Sequence, residues 1–263
     1  MMSDSDIDAN PVKVEVQGNI GVVTLNRPDK KNALDLTMRA AIADAVLRLD
    51  QNADVLAMVI TGGEKIFAAG ADLNLLVDKG AQDVADINLG QYWAPVIESN
   101  KPIFAAVNGF ALGAGCELAM MCDVIIADEK AQLGQPESKV GIMPGAGGTQ
   151  RLVRAVGKYV ASLMLYCGET IKADRARELG LVSEVTKEGQ ALSRALELAE
   201  AAAKMPPKAI SAIKQTLKQG TDLPLDAALK LENREFLLLF DTADKTEGMR
   251  AFLEKRPAVF QGK

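Results

Sequence analysis

Short continuous apolar runs alternate with helix-period segments through the first two-thirds of the chain. Residues 12–16 and 21–26 read as two β-rich runs. Asp35 is placed to cap a helix over 36–51, with Leu36, Ala40, Val46 and Leu47 among its apolar positions. Residues 55–61 form a continuous apolar strand signal, followed by the apolar loop Phe67-Ala68-Ala69-Gly70-Ala71-Asp72 and helical segments to about Asn100. Lys101-Pro102 restarts the pattern: 103–107 reads as a buried strand, 113–121 as a small-residue helix and 124–127 as another strand. The order strand, small-residue loop, helix, strand thus occurs twice, about 45 residues apart, which predicts repeated ββα units in an α/β fold.

From Thr149 the pattern turns mostly helical, with segments over 191–204, 207–218, 225–240 and 244–255, and Pro206-Pro207 as a break. The predicted organisation is an acidic flexible tail (1–11), a core (12–204) and a C-terminal helical oligomerisation region (205–263). The stretch 103–122 imitates a membrane span. The Asn108-Gly109 turn signal, Gly113, Gly115 and Glu117 point instead to a strand, a turn and a buried helix.

Composition narrows the chemistry. The chain has 263 residues, 48% hydrophobic and 25% charged, with a net charge of −5. Without a basic tract, nucleic acid and anionic membrane are poor partners. The chain has no histidine, so Ser-His-Asp and Cys-His pairs and His-ligated metals are excluded. The three cysteines, Cys116, Cys122 and Cys167, match no CxxC spacing and read as free thiols of a cytoplasmic protein. The polar, acidic first residues do not resemble a leader.

Two carboxylates stand out. Glu117 lies in Gly113-Ala114-Gly115-Cys116-Glu117-Leu118-Ala119, where every neighbour is small or apolar and no Lys or Arg lies within a turn. Burying it ionised is costly unless it is paired or functional. Glu137 opens a short helix with Pro136 at its first position; function and a simple helix-dipole acid are both open there. The loops at 68–71 and 113–115 lack bulky side chains and leave backbone N–H groups approachable. Converging, they would make an oxyanion hole, with Ala114 and Glu117 on one helix face. The run Gly141-Ile142-Met143-Pro144-Gly145-Ala146-Gly147-Gly148-Thr149 is neither a Walker A loop nor a dinucleotide fingerprint. It reads as a tight turn, lining a pocket or purely structural, with Thr149 capping the next helix.

These stretches resemble the enoyl-CoA hydratase/isomerase (crotonase) superfamily. The likeness runs through Leu25-Asn26-Arg27-Pro28, Asn32-Ala33-Leu34, the loops from Phe67 and Asn108, Gly134–Glu137, Gly141–Leu152 and the tail Glu247–Arg256. It implies a spiral of ββα units with a C-terminal trimerisation region, assembled as a trimer or dimer of trimers. It also implies a coenzyme A thioester substrate and no metal or other cofactor. By the resemblance, the backbone N–H groups of Ala71 and Ala114 are the oxyanion donors, and Glu117 and Glu137 are the catalytic pair. It further implies substrate contacts at Lys31 and Ala33, at Ala69, Gly70, Asp72 and Leu73, at Gly113, Pro136 and Gly145, and at Phe252 and Lys255. Lys30, Lys31, Lys255 and Arg256 are candidates for the coenzyme's phosphates, or ordinary solvated charges. Hydratases commonly carry Gly where this chain has Ala114, a harmless change if the backbone there is helical.

Family isomerases usually keep only the second glutamate, so holding both favours a hydratase that adds water syn to a trans-2-enoyl-CoA. A Δ3,Δ2-enoyl-CoA isomerase, a thioester hydrolase and an RNA-binding homologue are the alternatives. The strings around Glu117 and Gly145 are similar to those of hydratases acting on 2,3-dehydroadipyl-CoA in phenylacetate breakdown. Short-chain fatty-acid hydratases share nearly the same strings, and both substrates stay open.

Overall fold

The computed structural model describes residues 10–263. The tail expected over 1–11 lies outside the described residues except for Asn10 and Pro11. An antiparallel pair, β1 (Val12–Gln17) and β2 (Ile20–Leu25), opens the fold and leads into α1 (Leu36–Gln51). Asp35 caps α1 as expected, accepting from the N–H of Met38 at 2.8 Å. Next come β3 (Ala57–Thr61), α2 (Ala81–Ile87) and α3 (Ala94–Glu98). The apolar stretch at 103–122 resolves into β4 (Ile103–Val107), β5 (Phe110–Leu112) and α4 (Ala114–Met121). Then follow β6 (Val124–Asp128), β7 (Gln132–Gly134), α5 (Gly148–Val156), α6 (Lys158–Cys167), β8 (Thr170–Lys172), α7 (Ala173–Glu178) and β9 (Glu184–Thr186). Helices α8 (Ala191–Ala203), α9 (Pro207–Gly220), α10 (Leu225–Leu239) and α11 (Ala243–Glu254) complete the chain. Among the described residues no helix is long and apolar enough to cross a membrane.

The main sheet has the order β1-β2-β3-β4-β6-β9, parallel beyond the first pair. A second sheet, β5-β7-β8, runs alongside it. A parallel bridge between Ala68 and Ala111 extends this second layer to the loop after β3. The repeat is therefore a long strand followed by a short second-layer segment and a helix. Met58 pairs with Ile103, the spacing read in the sequence. The second-layer strands were not evident there, because three-residue strands carry no periodicity.

Central strands are buried on both faces, which explains their unbroken apolar runs. One face, with Val22, Val59, Phe104, Ala106 and Ile126, packs on Ala191, Ala195 and Ala199 of α8. These alanines sit four residues apart and let the helix lie close to the sheet. The other face packs on α1 and α4. The buried face of α1 is Met38, Arg39, Ile42, Ala45, Val46 and Leu49. Of the four apolar positions named from the sequence, only Val46 is enclosed; Ala40 and Leu47 are exposed and Leu36 is half-buried. Lys214 ties α9 to the sheet, donating to Asp123 at 2.8 Å and to the Lys101 carbonyl at 2.7 Å.

Candidate active site

Two glycines bring the two small-residue loops together. Gly70 has φ +115° and Gly113 φ +50°, conformations that favour glycine. The loops interlock through Ala68 N–H to the Phe110 carbonyl and Leu112 N–H to the Ala68 carbonyl, both 3.0 Å. Buried Asn32 anchors the first loop from the other side; its amide nitrogen meets the carbonyls of Gly62, Ile66 and Phe67 at 3.1 Å. A Cβ on Gly115 would lie 2.4 Å from the Ala68 carbonyl oxygen, so the first turn of α4 packs directly on this loop. Ala114 is the first residue of α4 and lacks the positive φ that Gly113 carries, so Ala costs nothing there. Among the described residues neither the Ala71 nor the Ala114 N–H donates a hydrogen bond.

Both N–H groups belong to residues lining a cavity of about 570 Å³. Ala69, Gly70, Leu73, Gly113, Pro136 and Gly145 share its wall, together with Glu117 and Glu137. Glu117 is 2% exposed on α4. Its Oε1 accepts from the N–H of Ala146 at 2.7 Å and of Gly148 at 2.8 Å. The glycine-rich run is thus a cradle for this carboxylate. A Cβ on Gly148 would come within 2.9 Å of Glu117 Oε1. Helix α5 begins at Gly148 with Gly147 as its cap, so Thr149 does not cap it as expected. Burial pushes the Glu117 carboxyl above its ordinary range, against the pull of those two N–H groups and the charges of Arg39 and Arg151.

Glu137 starts a 3-10 turn, Glu137–Val140, for which Pro136 is the cap rather than the first residue. Burial pushes it up to about 7, opposed by its own backbone N–H and reinforced by the Glu117 charge. Fully buried Gln135 presents its side-chain amide to both Glu137 oxygens at 3.0 and 3.2 Å, with the NH2 as the donating group. Two carboxylates of one chemical type therefore sit in different surroundings at one cavity. That combination can run acid and base chemistry together.

Other expected contacts lie off the cavity wall. Asp72 turns its side chain to the N–H of Asn74 at 3.0 Å. Lys31 and Ala33 belong to the neighbouring loop, where the Lys31 carbonyl accepts from Ala69 N–H at 3.0 Å. Phe252, 83% exposed, and Lys255 end α11 and lie outside the cavity lining. Arg256 is committed to Glu247 and Glu254, at 2.7 Å each, which accounts for its charge within the chain. Sequence reasoning missed Arg39, Lys79, Trp93 and Lys139 in the wall. Arg39 alone carried a signal, a cation at a buried position of an amphipathic helix. Cys116, next to Glu117, is buried and pushed up to about 12, an inert thiol. The three cysteines are free. Among the described residues there is no cluster of three metal-ligating side chains.

The sequence model of the enoyl-CoA hydratase/isomerase family matches residues 15–263. The chain is 45% identical to the 2,3-dehydroadipyl-CoA hydratase of Escherichia coli (strain K12), over 95% of this chain and 98% of that one. It is 38% identical to the short-chain-enoyl-CoA hydratase of Clostridium acetobutylicum, over 95% and 97%. Among solved structures, an enoyl-CoA hydratase subunit from Geobacillus kaustophilus superposes with a TM-score of 0.93 at 40% identity, covering 96% of this chain and 98% of that one. The chain belongs to the enoyl-CoA hydratase/isomerase family and has the crotonase fold.

Proposed function

We propose that this protein is an enoyl-CoA hydratase that adds water reversibly and syn across the double bond of a trans-2-enoyl-CoA. The observation that carries this reading is the pair of unequal carboxylates, Glu117 and Glu137, beside two unpartnered backbone N–H groups. The thioester oxygen binds at the N–H groups of Ala71 and Ala114. Glu117, cradled by two N–H donors, takes a proton from water as its oxygen bonds to C3. Electrons of the double bond move toward the thioester oxygen, whose developing charge the two N–H groups stabilise; one such donor is worth about 3–4 kcal/mol. Glu137, whose carboxyl burial raises to about 7, gives its proton to C2. The product is a 3-hydroxyacyl-CoA. Protein groups, water and substrate supply every step.

The coenzyme's phosphates fit the Lys31 loop, which is hydrogen-bonded to Ala69, and Lys255 of the same or a neighbouring subunit. Exposed Leu229, Phe236, Leu237 and Leu253 on α10 and α11 support a homotrimer or dimer of trimers built on region 205–263. The free thiols and acidic charge fit the cytoplasm. The relatives make crotonyl-CoA and 2,3-dehydroadipyl-CoA the substrates to try. The test is loss of the conjugated enoyl-thioester absorbance with wild type, Glu117→Gln and Glu137→Gln. A loss of activity in both variants is expected. An active Glu117→Gln enzyme that moves a Δ3 double bond would establish the isomerase instead, and release of free thiol the hydrolase.

A further inference from the structure

One wall of the cavity carries a charge that hydration does not use. Arg39 is 3% exposed and lines the cavity beside Trp93. Its guanidinium carbon lies 4.9 Å from the Trp93 ring centroid, and its Nε donates to the Leu34 carbonyl at 2.9 Å. That bond uses one of its five N–H groups. Among the described residues no Asp or Glu forms an ion pair with Arg39, and neither Nη finds an acceptor. The Trp93 Nε1 is likewise buried with no partner. Glu117 feels the Arg39 charge without an ion pair, and its own Oε1 is already held by Ala146 and Gly148.

A buried guanidinium without a direct ion-pair partner is expensive, and closing an apolar acyl chain over it would strip its water as well. Leu76, Val84 and Leu89 line the same cavity and give an alkyl chain apolar contact. Apolar surface flanked by one fixed, planar cation is the chemistry that recognises an alkyl chain ending in a carboxylate. We propose that Arg39 binds a carboxylate at the distal end of the acyl group, so that the preferred substrate is the enoyl-CoA of a dicarboxylic acid. This inference rests on the hydratase reading.

The test compares 2,3-dehydroadipyl-CoA with trans-2-hexenoyl-CoA, equal in chain length and different in the terminal carboxylate, for wild type and Arg39→Met. Binding of the unreactive adipyl-CoA and hexanoyl-CoA is measured beside it. Wild type is expected to prefer the dicarboxylyl substrate at least tenfold in kcat/KM. Arg39→Met is expected to abolish the preference, mainly through KM. Equal kcat/KM for the two substrates in wild type would overturn the proposal whether or not the variant folds. So would a loss in Arg39→Met that is the same for both substrates, because Arg39 would then serve only Glu117. If wild type turns over neither substrate yet binds adipyl-CoA more tightly, the hydratase reading fails and the carboxylate site stands. No turnover and no binding preference sinks both.

Discussion

Replacing Glu137 by Gln is expected to change how stability depends on pH, separately from its effect on catalysis. In the folded chain burial and the Glu117 charge raise this carboxyl from 4.5 to about 7. The unfolded chain releases the proton near 4.5. Between those values the folded state still holds a proton that the unfolded state has lost, so stability must fall as pH rises. The group's contribution is fully present below about pH 4.5 and is lost as pH passes through 7. A rise of that size corresponds to about 3 kcal/mol for an enclosed carboxyl. Glu137 is half-buried at an open cavity wall, so screening by solvent reduces the expected effect to about 1–2 kcal/mol. Glu117 remains in both proteins, and its own titration cancels from the comparison apart from its coupling to Glu137. The assay is urea unfolding of wild type and Glu137→Gln from pH 4.5 to 8.5, at fixed ionic strength and protein concentration. The variant is expected to gain on wild type by about 1–2 kcal/mol across that range. A stability difference that stays flat with pH would refute the raised Glu137 and the acid role built on it.

Gly148→Ala places a Cβ 2.7 Å from the Pro144 Cβ and 2.9 Å from both Glu117 Oε1 and the Gln135 side-chain amide, so the cradle must shift. We expect kcat to fall at least about tenfold and stability by about 1–3 kcal/mol, read by steady-state kinetics and thermal unfolding; near-normal kcat would deny the cradle its role. Lys214→Met leaves Asp123 half-enclosed with its counter-charge gone and frees the Lys101 carbonyl. Unfolding in urea is expected to show a loss of about 2–3 kcal/mol with kcat retained, and a loss under about 0.5 kcal/mol would show that the pair does not hold α9 to the sheet.

Much of the architecture was legible in the sequence because central strands and helices leave long signatures. The runs at 103–107 and 124–127 and the capped helix from Asp35 match β4, β6 and α1 closely. The apolar positions named for α1 mark its buried face only in part, since Ala40 and Leu47 are apolar yet exposed, while Arg39 is buried. The face as a whole is apolar, with Met38, Ile42, Ala45, Val46 and Leu49 enclosed, and residue type alone does not reveal that Arg39 joins them. The second sheet escaped notice for a different reason. Its strands are set by pairing, such as Leu133 with Ala111 and Ile171, and hold no pattern of their own.

Glu117 and Glu137 were individually conspicuous, but their difference was not readable from their neighbours in sequence. The donors that hold Glu117 arrive from Ala146 and Gly148, roughly thirty residues downstream, and Glu137 is raised chiefly by burial, with the Glu117 charge adding to it. Hydration needs a base and an acid at one pH from two residues of the same type. Local composition cannot assign those roles, because the groups that meet each carboxyl come from distant parts of the chain. The proposed assignment of Glu117 as the base rests on where N–H donors point. Two of them favour the ionised form of Glu117. Glu137 is raised chiefly by burial, with the Glu117 charge adding to it, which suits it to the acid role in the proposed mechanism. The glycine run is therefore more than a turn: it holds the Glu117 carboxylate through the N–H groups of Ala146 and Gly148, and displacing it would disturb the proposed base.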